Sequence, residues 1–288
     1  MYKRQFVEIG KGKSQEEIFD ECAINYPEET KFVILPMDMA YMQAGKVPRK
    51  YEDQLAELAQ LAKKRSCVLP FIHLDPRREG FVDLFVQSMQ MGFRGVKLYP
   101  PLGYFPYDQR LYPVYEYCQK NDIPVLAHCT AGNPVSFRGS DKELIALLRD
   151  CKLPIDWNQS NKQLCAYFTH PENYRYVFEA FPKLKVCLAH FGREGEWDTI
   201  IKNMMRTYTG LYVDISYSLY DEAHWGYIKV LLSTNEVFRE RCLFGSDWYM
   251  NAVEGQEKQF SINLRAYLGE ELWTQIAEIN PKRFLNLQ

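Results

Sequence analysis

Apolar segments of six to eight residues alternate along the chain with longer stretches in which apolar residues recur every three or four positions. The stretch 51–65 is typical of the second kind, because Leu55, Leu58 and Leu61 share one side of a helix and charged residues fill the rest. We predict further helices at Ser14–Asn25, Gly80–Met91, Leu111–Asn121, Ser140–Cys151, Pro171–Phe181, Glu194–Tyr208, Asp221–Leu232 and Gln256–Tyr267. The apolar segments predict seven strands, at Lys31–Pro36, Cys67–His73, Gly92–Tyr99, Ile123–His128, Leu184–His190, Gly210–Ser216 and Arg241–Asp247.

This alternation predicts βα units around a parallel sheet. No linker or change in composition divides the chain, so we expect a single domain over residues 1–288. Seven βα units and a C-terminal helical tail fit a (β/α)₈ TIM barrel from which one strand, the first, is missing. The competing architecture is a doubly wound sheet, which usually carries a Gly-rich phosphate loop, and neither GxGxxG nor GxxxxGK[ST] occurs here.

The spacing between strands is wider at one place, where about 55 residues separate His128 from the next predicted strand. The excess, residues 153–170, contains Trp157 and Tyr167 among polar residues and indicates an insertion near the barrel mouth. It is either a cover over the active site or a surface excursion without a role.

Composition narrows the class of protein. The 288 residues are 47% hydrophobic, and 35 Lys and Arg face 37 Asp and Glu for a net charge of −2, which argues against nucleic-acid binding. No apolar run approaches the roughly 18–20 residues that cross a bilayer. The eight cysteines form no CxxC pair, so we expect reduced thiols and a cytoplasmic protein. We expect a small-molecule substrate, and a homo-oligomer is possible.

Four polar residues stand at the carboxyl ends of predicted strands, where barrel enzymes assemble their active sites: Lys97, His128, His190 and Asp247. Counting back by twos along each strand gives the apolar residues that should share their face. These are Pro124 and Leu126 for His128, Val186 and Leu188 for His190, and Leu243 and Gly245 for Asp247.

Two imidazoles and a carboxylate that converge have the chemistry of a zinc or other divalent transition-metal site. We therefore predict His128, His190 and Asp247 as metal ligands, with Asp247 and His190 also catalytic. A metal lowers the pKa of bound water towards 7 and creates a nucleophile at neutral pH.

Substrate binding is predicted for Lys97, Tyr99 and Trp248. Three roles stay open for Lys97: a CO₂ adduct that bridges two metals, a contact to a substrate carboxylate, or an ion pair with a neighbouring strand. Tyr99 lies in an aromatic loop that either shapes a substrate pocket or packs on itself. The remaining histidines, His73, His170 and His224, we expect to be structural or to lie on the surface.

Six motifs in order carry a resemblance to a known family: GFRGVKLYPP, PVLAHC, LAHFG, YVDIS, LFGSDW and NPKRFL. From about residue 31 onward the chain resembles the amidohydrolase superfamily, in particular the group of aminocarboxymuconate-semialdehyde decarboxylase. The resemblance implies a metal-ligand histidine at His128, a histidine that ligates metal or acts on substrate at His190, and an aspartate ligand and proton carrier at Asp247. It also implies a His-x-His pair on strand 1, which this sequence does not contain.

The motif FVILPMDM resembles strand 2 of that family, so the resemblance places strand 1 upstream of Met1. Residues 1–5 are what a sequence resembling a transposon end used in sequencing libraries would encode if a GTG codon were called as the start, and we expect them to be non-native. A chain without strand 1 should bind metal poorly, be inactive by itself, and aggregate or recruit a partner strand through its open sheet edges.

These observations predict a metal-dependent hydrolase that acts on a small organic substrate. One alternative is a metal-dependent decarboxylase with a similar site, and another is a degenerate barrel without catalytic activity.

Overall fold

The computed structural model describes residues 12–42, 47, 49–131, 137–192, 195–217, 222–248, 250 and 257–287. All seven predicted strands are confirmed; six have shorter bounds, and β2 keeps its length but is shifted by one residue. They are β1 (Phe32–Ile34), β2 (Val68–Leu74), β3 (Gly95–Leu98), β4 (Val125–His128), β5 (Val186–Ala189), β6 (Leu211–Asp214) and β7 (Cys242–Leu243).

Helices connect the strands as predicted, and several begin at capping residues. Ser14, for example, accepts from the backbone N–H of Glu17, whose carboxylate accepts from the Ser14 N–H, and this capping box begins α1. The helices are α1 (Gln15–Ala23), α2 (Tyr51–Lys64), α3 (Phe81–Gln90), α4 (Tyr112–Lys120), α5 (Asp141–Leu148), α6 (Asn161–Thr169), α7 (Asn173–Ala180), α8 (Glu196–Thr207), α9 (Glu222–Thr234), α10 (Glu236–Arg241), α11 (Glu257–Leu268), α12 (Glu270–Thr274) and α13 (Asn280–Phe284).

The sheet is parallel throughout, and its spatial order follows the chain from β1 to β7. A doubly wound sheet would reverse its strand order at a switch point, so this order selects the barrel architecture. The sheet curls until its two ends approach each other. Tyr26, which precedes β1, places its ring 6.5 Å from that of Phe244, which follows β7. In the described residues, β1 and β7 are therefore the edges of a curled, open barrel.

The inner face of the curled sheet carries its own apolar cluster, formed by Cys187, Tyr212, Leu243 and Phe284 with Leu126 packed against them. The strand register agrees, since Leu126 pairs with Cys187 and Cys187 pairs with Tyr212. Phe284 belongs to α13, so this helix closes the floor of the barrel interior.

One predicted face is wrong. Val186 and Leu188 belong to the large outer core that the helices cover, whereas Cys187 faces the barrel interior. The prediction assumed that β5 continues straight to His190. The strand instead ends at Ala189, and His190 has a positive φ of 69° that turns its side chain inward.

Above the floor, the ring of Phe71 crosses the interior against Gly95. A Cβ on Gly95 would lie 2.4 Å from the Phe71 ring, so any side chain at this position would displace it. His73 and Lys97 come two residues further along the same strands and pair with each other in the register, which places them one level higher.

The insertion at residues 153–170 contains α6, a helix that the sequence analysis missed. Phe168 on α6 is fully buried and places its ring 4.9 Å from that of Phe105. The Thr169 hydroxyl donates to the carbonyl oxygen of His128 at the end of β4. The insertion is therefore attached directly to a residue of the candidate site.

Among the described residues, no helix has the length and apolar character needed to span a bilayer.

Candidate active site

A cleft of about 2520 Å³ opens along the inner face of the sheet. Its walls include apolar residues of β1 and the C-terminal helices, and its upper part is polar. The polar residues of interest there are Lys97, Tyr99, His128, Asp214, Ser216 and Asp247. Trp248 and His190 line the same cleft, so all six residues predicted for the site share one cavity.

The two predicted histidines are in contact. His128 ends β4 and is 6% exposed, and its Nδ1 lies 3.2 Å from Nε2 of His190. The rings meet edge to face, with centroids 4.8 Å apart. Tyr99 places its ring centroid 4.5 Å from the same imidazole. His128 thus contacts both an aromatic ring and a second imidazole.

The Nε2 atom of His128 is buried and has no hydrogen-bond partner among the described residues. Burial lowers the pKa of His128 well below its usual value, and the neighbouring His190 and Lys97 lower it further. The ring is therefore neutral at pH 7. A neutral imidazole keeps one nitrogen lone pair, which can accept a proton or bind a metal.

His190 is held by residues at the end of β6. Its backbone N–H donates to Oδ1 of Asp214 over 3.0 Å, which fixes the turn after β5. Its Nδ1 lies 3.0 Å from Oγ and 3.2 Å from the carbonyl oxygen of Ser216. Asp214 also accepts from the backbone N–H and the hydroxyl of Ser216.

Asp214 and Ser216 lie in the YVDIS motif but were not predicted as site residues. Asp214 is 5% exposed, and a buried carboxylate at a strand end was the available indication. Their importance depends on hydrogen bonds between β5 and β6, which a single sequence does not encode as a local pattern.

Lys97 is a buried lysine of the cleft, with an exposure of 6%. Burial lowers its pKa, while Asp214 and Asp247 oppose that effect. In the described part of the chain, Lys97 forms no ion pair within 4.0 Å, so its ammonium group is not committed to a neighbouring strand. Its role as a substrate contact stays a prediction.

Asp247 lines the cleft as an exposed residue, and its backbone has a positive φ of 57°. Its charge raises the pKa of both Lys97 and Tyr99, in each case after the effect of burial, so it lies close to both. Trp248 follows it along the rim.

The residues predicted as metal ligands are only partly brought together. Within the ranges that the structure describes, no three His, Cys, Asp or Glu side chains are grouped so that they could hold one metal ion. The structure brings His128 and His190 together and places Asp247 on the same cleft. The unpartnered Nε2 of His128 fits a metal ligand, and the carboxylate of Asp247 has suitable chemistry.

His73 and His170 have structural contacts, in agreement with the prediction. Nδ1 of His73 accepts from the backbone N–H of Asp38 over 3.0 Å, and Nδ1 of His170 accepts from that of Glu172 over 3.2 Å. His73 is 1% exposed and does not line the cleft.

A curled parallel sheet with a polar cleft at the carboxyl ends of its strands defines a barrel of the TIM type, with its candidate site in the position that barrel enzymes use. The sequence matches the amidohydrolase family model over residues 35–287. The chain belongs to the amidohydrolase family, and the narrower decarboxylase group stays a prediction.

Solved structures share the fold. A TIM-barrel protein from Bordetella bronchiseptica matches with a TM-score of 0.65 and 22% identity over 98% of this chain and 89% of its own. A zinc-bound amidohydrolase from Burkholderia multivorans matches with a TM-score of 0.58 and 12% identity over 99% and 95%. A probable 2-pyrone-4,6-dicarboxylic acid hydrolase from Acinetobacter baumannii, with citric acid bound, matches with a TM-score of 0.56 and 12% identity over 95% and 88%. A comparison with curated proteins finds no match.

Proposed function

We propose that the protein is a metal-dependent hydrolase that acts on a small organic substrate with a carboxylate group. The observation that carries this proposal is the buried, neutral imidazole of His128, whose Nε2 has no partner among the described residues. Leaving such an atom unpaired costs about 1–3 kcal/mol. This free-energy cost is expected to be removed when a bound ligand supplies a partner for Nε2.

His128 and Asp247 would hold a divalent metal, most suitably zinc, because neutral imidazole and carboxylate are both zinc ligands. The metal would supply Lewis acidity and a water molecule of lowered pKa. Groups outside the described residues, solvent or substrate would complete the coordination.

His190 and Asp247 would handle protons. His190 lies beside His128 and is fixed by two contacts to Ser216, so its ring is oriented before substrate binds. Asp247 is exposed to the cleft, where a carboxylate can take a proton from water and pass it to a leaving group.

Lys97 would bind the substrate carboxylate. Its ammonium group is buried in the cleft wall without an ion pair in the described residues, so an incoming anion gains a strong, poorly solvated partner. Tyr99 and Trp248 would pack against the organic part of the substrate, because both rings line the same cavity.

The experiment is an assay of the zinc-supplemented chain against carboxylated lactones, esters and amides, including 2-pyrone-4,6-dicarboxylate. We expect hydrolysis that a chelator abolishes, in contrast to the inactivity that the family resemblance alone predicts for this chain, and a large rise in KM in Lys97→Met. Lys152→Met is the matched control, because Lys152 packs on the rings of Tyr107 and Tyr176 on the outer layer. No hydrolysis of any of these substrates, or equal KM values in both variants, would overturn the proposal.

A decarboxylase is the second candidate, and the buried Lys97 favours it to the same degree, since decarboxylation also requires a bound carboxylate. Measuring CO₂ release and ring opening on the same samples separates the two reactions. CO₂ without hydrolysis would replace the first proposal by the second.

A further inference from the structure

The hydrogen bonds around His190 and His128 determine which ring nitrogens carry protons. We propose that Asp214 and Ser216 are positioning residues that fix the tautomers of both site imidazoles. As a result, His128 presents the lone pair of Nε2 to the cleft. We call the hydrogen bonds that lead from Asp214 through Ser216 and His190 to His128 the relay. These contacts do not depend on the proposed function, and only the use of that lone pair rests on it.

The first step lies between Asp214 and Ser216. The Ser216 hydroxyl has one proton, and it donates that proton to Oδ1 of Asp214. The same oxygen accepts the backbone N–H of Ser216 over 2.9 Å, so the carboxylate is held in place by the chain it orients. With its proton committed, the Ser216 hydroxyl can only accept from a further partner.

The second step is the contact between Ser216 and His190. Nδ1 of His190 faces the Ser216 hydroxyl oxygen at 3.0 Å and the Ser216 carbonyl oxygen at 3.2 Å. Both oxygens are acceptors here, so Nδ1 of His190 must carry the proton. In the neutral ring, Nε2 of His190 then has the lone pair.

The third step passes between the two rings. Nε2 of His190 lies 3.2 Å from Nδ1 of His128, and a hydrogen bond at this distance needs one proton. Because His190 offers a lone pair, His128 donates from Nδ1. The remaining nitrogen of His128, the buried Nε2, is therefore unprotonated and can bind a metal or accept a proton.

Packing holds the first two residues of this relay in place. A Cβ on Gly245 of the neighbouring segment would lie 3.1 Å from Cβ of Ser216 and 3.5 Å from Cγ of Asp214. Oδ2 of Asp214 is approached by Sγ of Cys187 at 3.7 Å. The carboxylate is 5% and Ser216 6% exposed, so solvent does not compete for these hydrogen bonds.

The direct test is ¹⁵N NMR of the metal-free chain labelled at histidine, at mildly alkaline pH. Long-range ¹H–¹⁵N correlations distinguish protonated from unprotonated ring nitrogens, and the variants His128→Asn and His190→Gln assign the signals. We expect both rings to carry the proton on Nδ1. A proton on Nε2 of either ring would overturn the proposal.

The second test removes the Ser216 hydroxyl. In Ser216→Ala, His190 keeps only the longer contact to the carbonyl, so we expect a mixture of tautomers and a kcat about tenfold lower at unchanged KM. Ser216→Thr should restore both. Ser88→Ala is the matched control, because Ser88 is a buried serine whose hydroxyl donates only to Leu84 in its own helix.

Unchanged ring tautomers in Ser216→Ala would overturn the relay, whatever the activity. Protons on Nδ1 in a chain that hydrolyses nothing would instead support the relay and overturn the proposed function. The wild-type spectrum needs no variant, so the inference stays testable even if a substitution prevents folding.

Discussion

His73 and His128 stand in equivalent places, near the carboxyl ends of β2 and β4, and both are almost completely buried. Each has its backbone carbonyl bound by a hydroxyl from another element: Tyr51 donates to His73 over 2.9 Å, and Thr169 donates to His128. Each also has an Nε2 atom without a partner in the described residues.

The two rings differ in what Nδ1 does. Nδ1 of His73 accepts a backbone N–H from Asp38, so its proton must be on Nε2, and this ring cannot bind a metal there. Nδ1 of His128 contacts His190, and the proposed relay leaves Nε2 unprotonated. Burial at a strand end therefore does not by itself make a histidine functional. The hydrogen-bond partner of Nδ1 decides whether Nε2 can bind a metal.

The largest expected difference between the two histidines is the loss of activity in His128→Asn. The asparagine amide can still donate towards His190 from the position of Nδ1, but nothing replaces Nε2. We expect kcat/KM to fall by more than about 100-fold, because loss of outer-shell partners of a metal already costs 10–100-fold and Nε2 is the proposed ligand itself. His73→Asn, which keeps an acceptor for Asp38, should stay within a few-fold of wild type in the same assay. Equal losses in both variants would contradict the distinction.

The free energy of unfolding should depend on pH through the protonation of His73. Burial lowers the pKa of His73 to about 4 from an ordinary 6.5. The unfolded chain therefore binds a proton below pH 6.5 that the folded chain refuses until about pH 4. This contribution to stability is full above pH 6.5 and is lost as the pH falls towards 4, by up to about 3 kcal/mol.

Urea unfolding at several pH values between 4 and 7 measures this loss. In His73→Asn the free energy of unfolding should change less steeply over that interval than in wild type. The two slopes would coincide if His73 did not contribute.

Tyr51→Phe tests how His73 is held. The Tyr51 hydroxyl donates to the carbonyl of His73 and accepts its backbone N–H over 2.8 Å, so the variant leaves two buried backbone groups unpaired. We expect a loss of about 2 kcal/mol in the free energy of unfolding. Tyr115→Phe is the control, because that hydroxyl satisfies one carbonyl, of Pro106, and should cost less.

Thr169→Val tests the corresponding contact at His128. The hydroxyl satisfies the carbonyl at the end of β4, so its loss should cost about 1 kcal/mol in thermal or urea unfolding. Thr169→Ser keeps the hydroxyl and should behave as wild type. A stability of Thr169→Val equal to that of Thr169→Ser would show that the insertion does not support the site through this bond.

Much of the fold was predictable because it rests on local patterns. Each strand is a short apolar segment, and each of the longer helices repeats its apolar residues at helical spacing. The helix α6 was missed because it lies within a polar insertion, and not because it is short, since α1 also has nine residues. Its capping box, in which Ser160 and Gln163 bind each other's backbone N–H groups, was the available indication.

The site was predictable only in part. His128, His190 and Asp247 follow from the rule that barrel sites lie at strand ends, and the structure places all three on one cleft. The turn that directs His190 inward was not predictable, because it depends on a positive φ stabilised by Asp214 on another strand. Whether the three residues ligate a metal stays a prediction, and the proposed relay, which uses both ring nitrogens of His190, leaves only His128 and Asp247 for that role.

The placement of Phe284 on the floor of the interior has a consequence for the order of events during synthesis. Strands β1 to β7 leave the ribosome in the same order in which they lie in the sheet, so each new strand can join an edge that already exists. The floor of the interior cannot form in this order. Tyr212 packs against Phe284 with ring centroids 5.0 Å apart, and Phe284 is translated more than seventy residues after Tyr212. A nascent chain therefore lacks the contact between Tyr212 and Phe284 until α13 has been synthesised, and a bulky fusion close behind Phe284 is expected to hinder its formation.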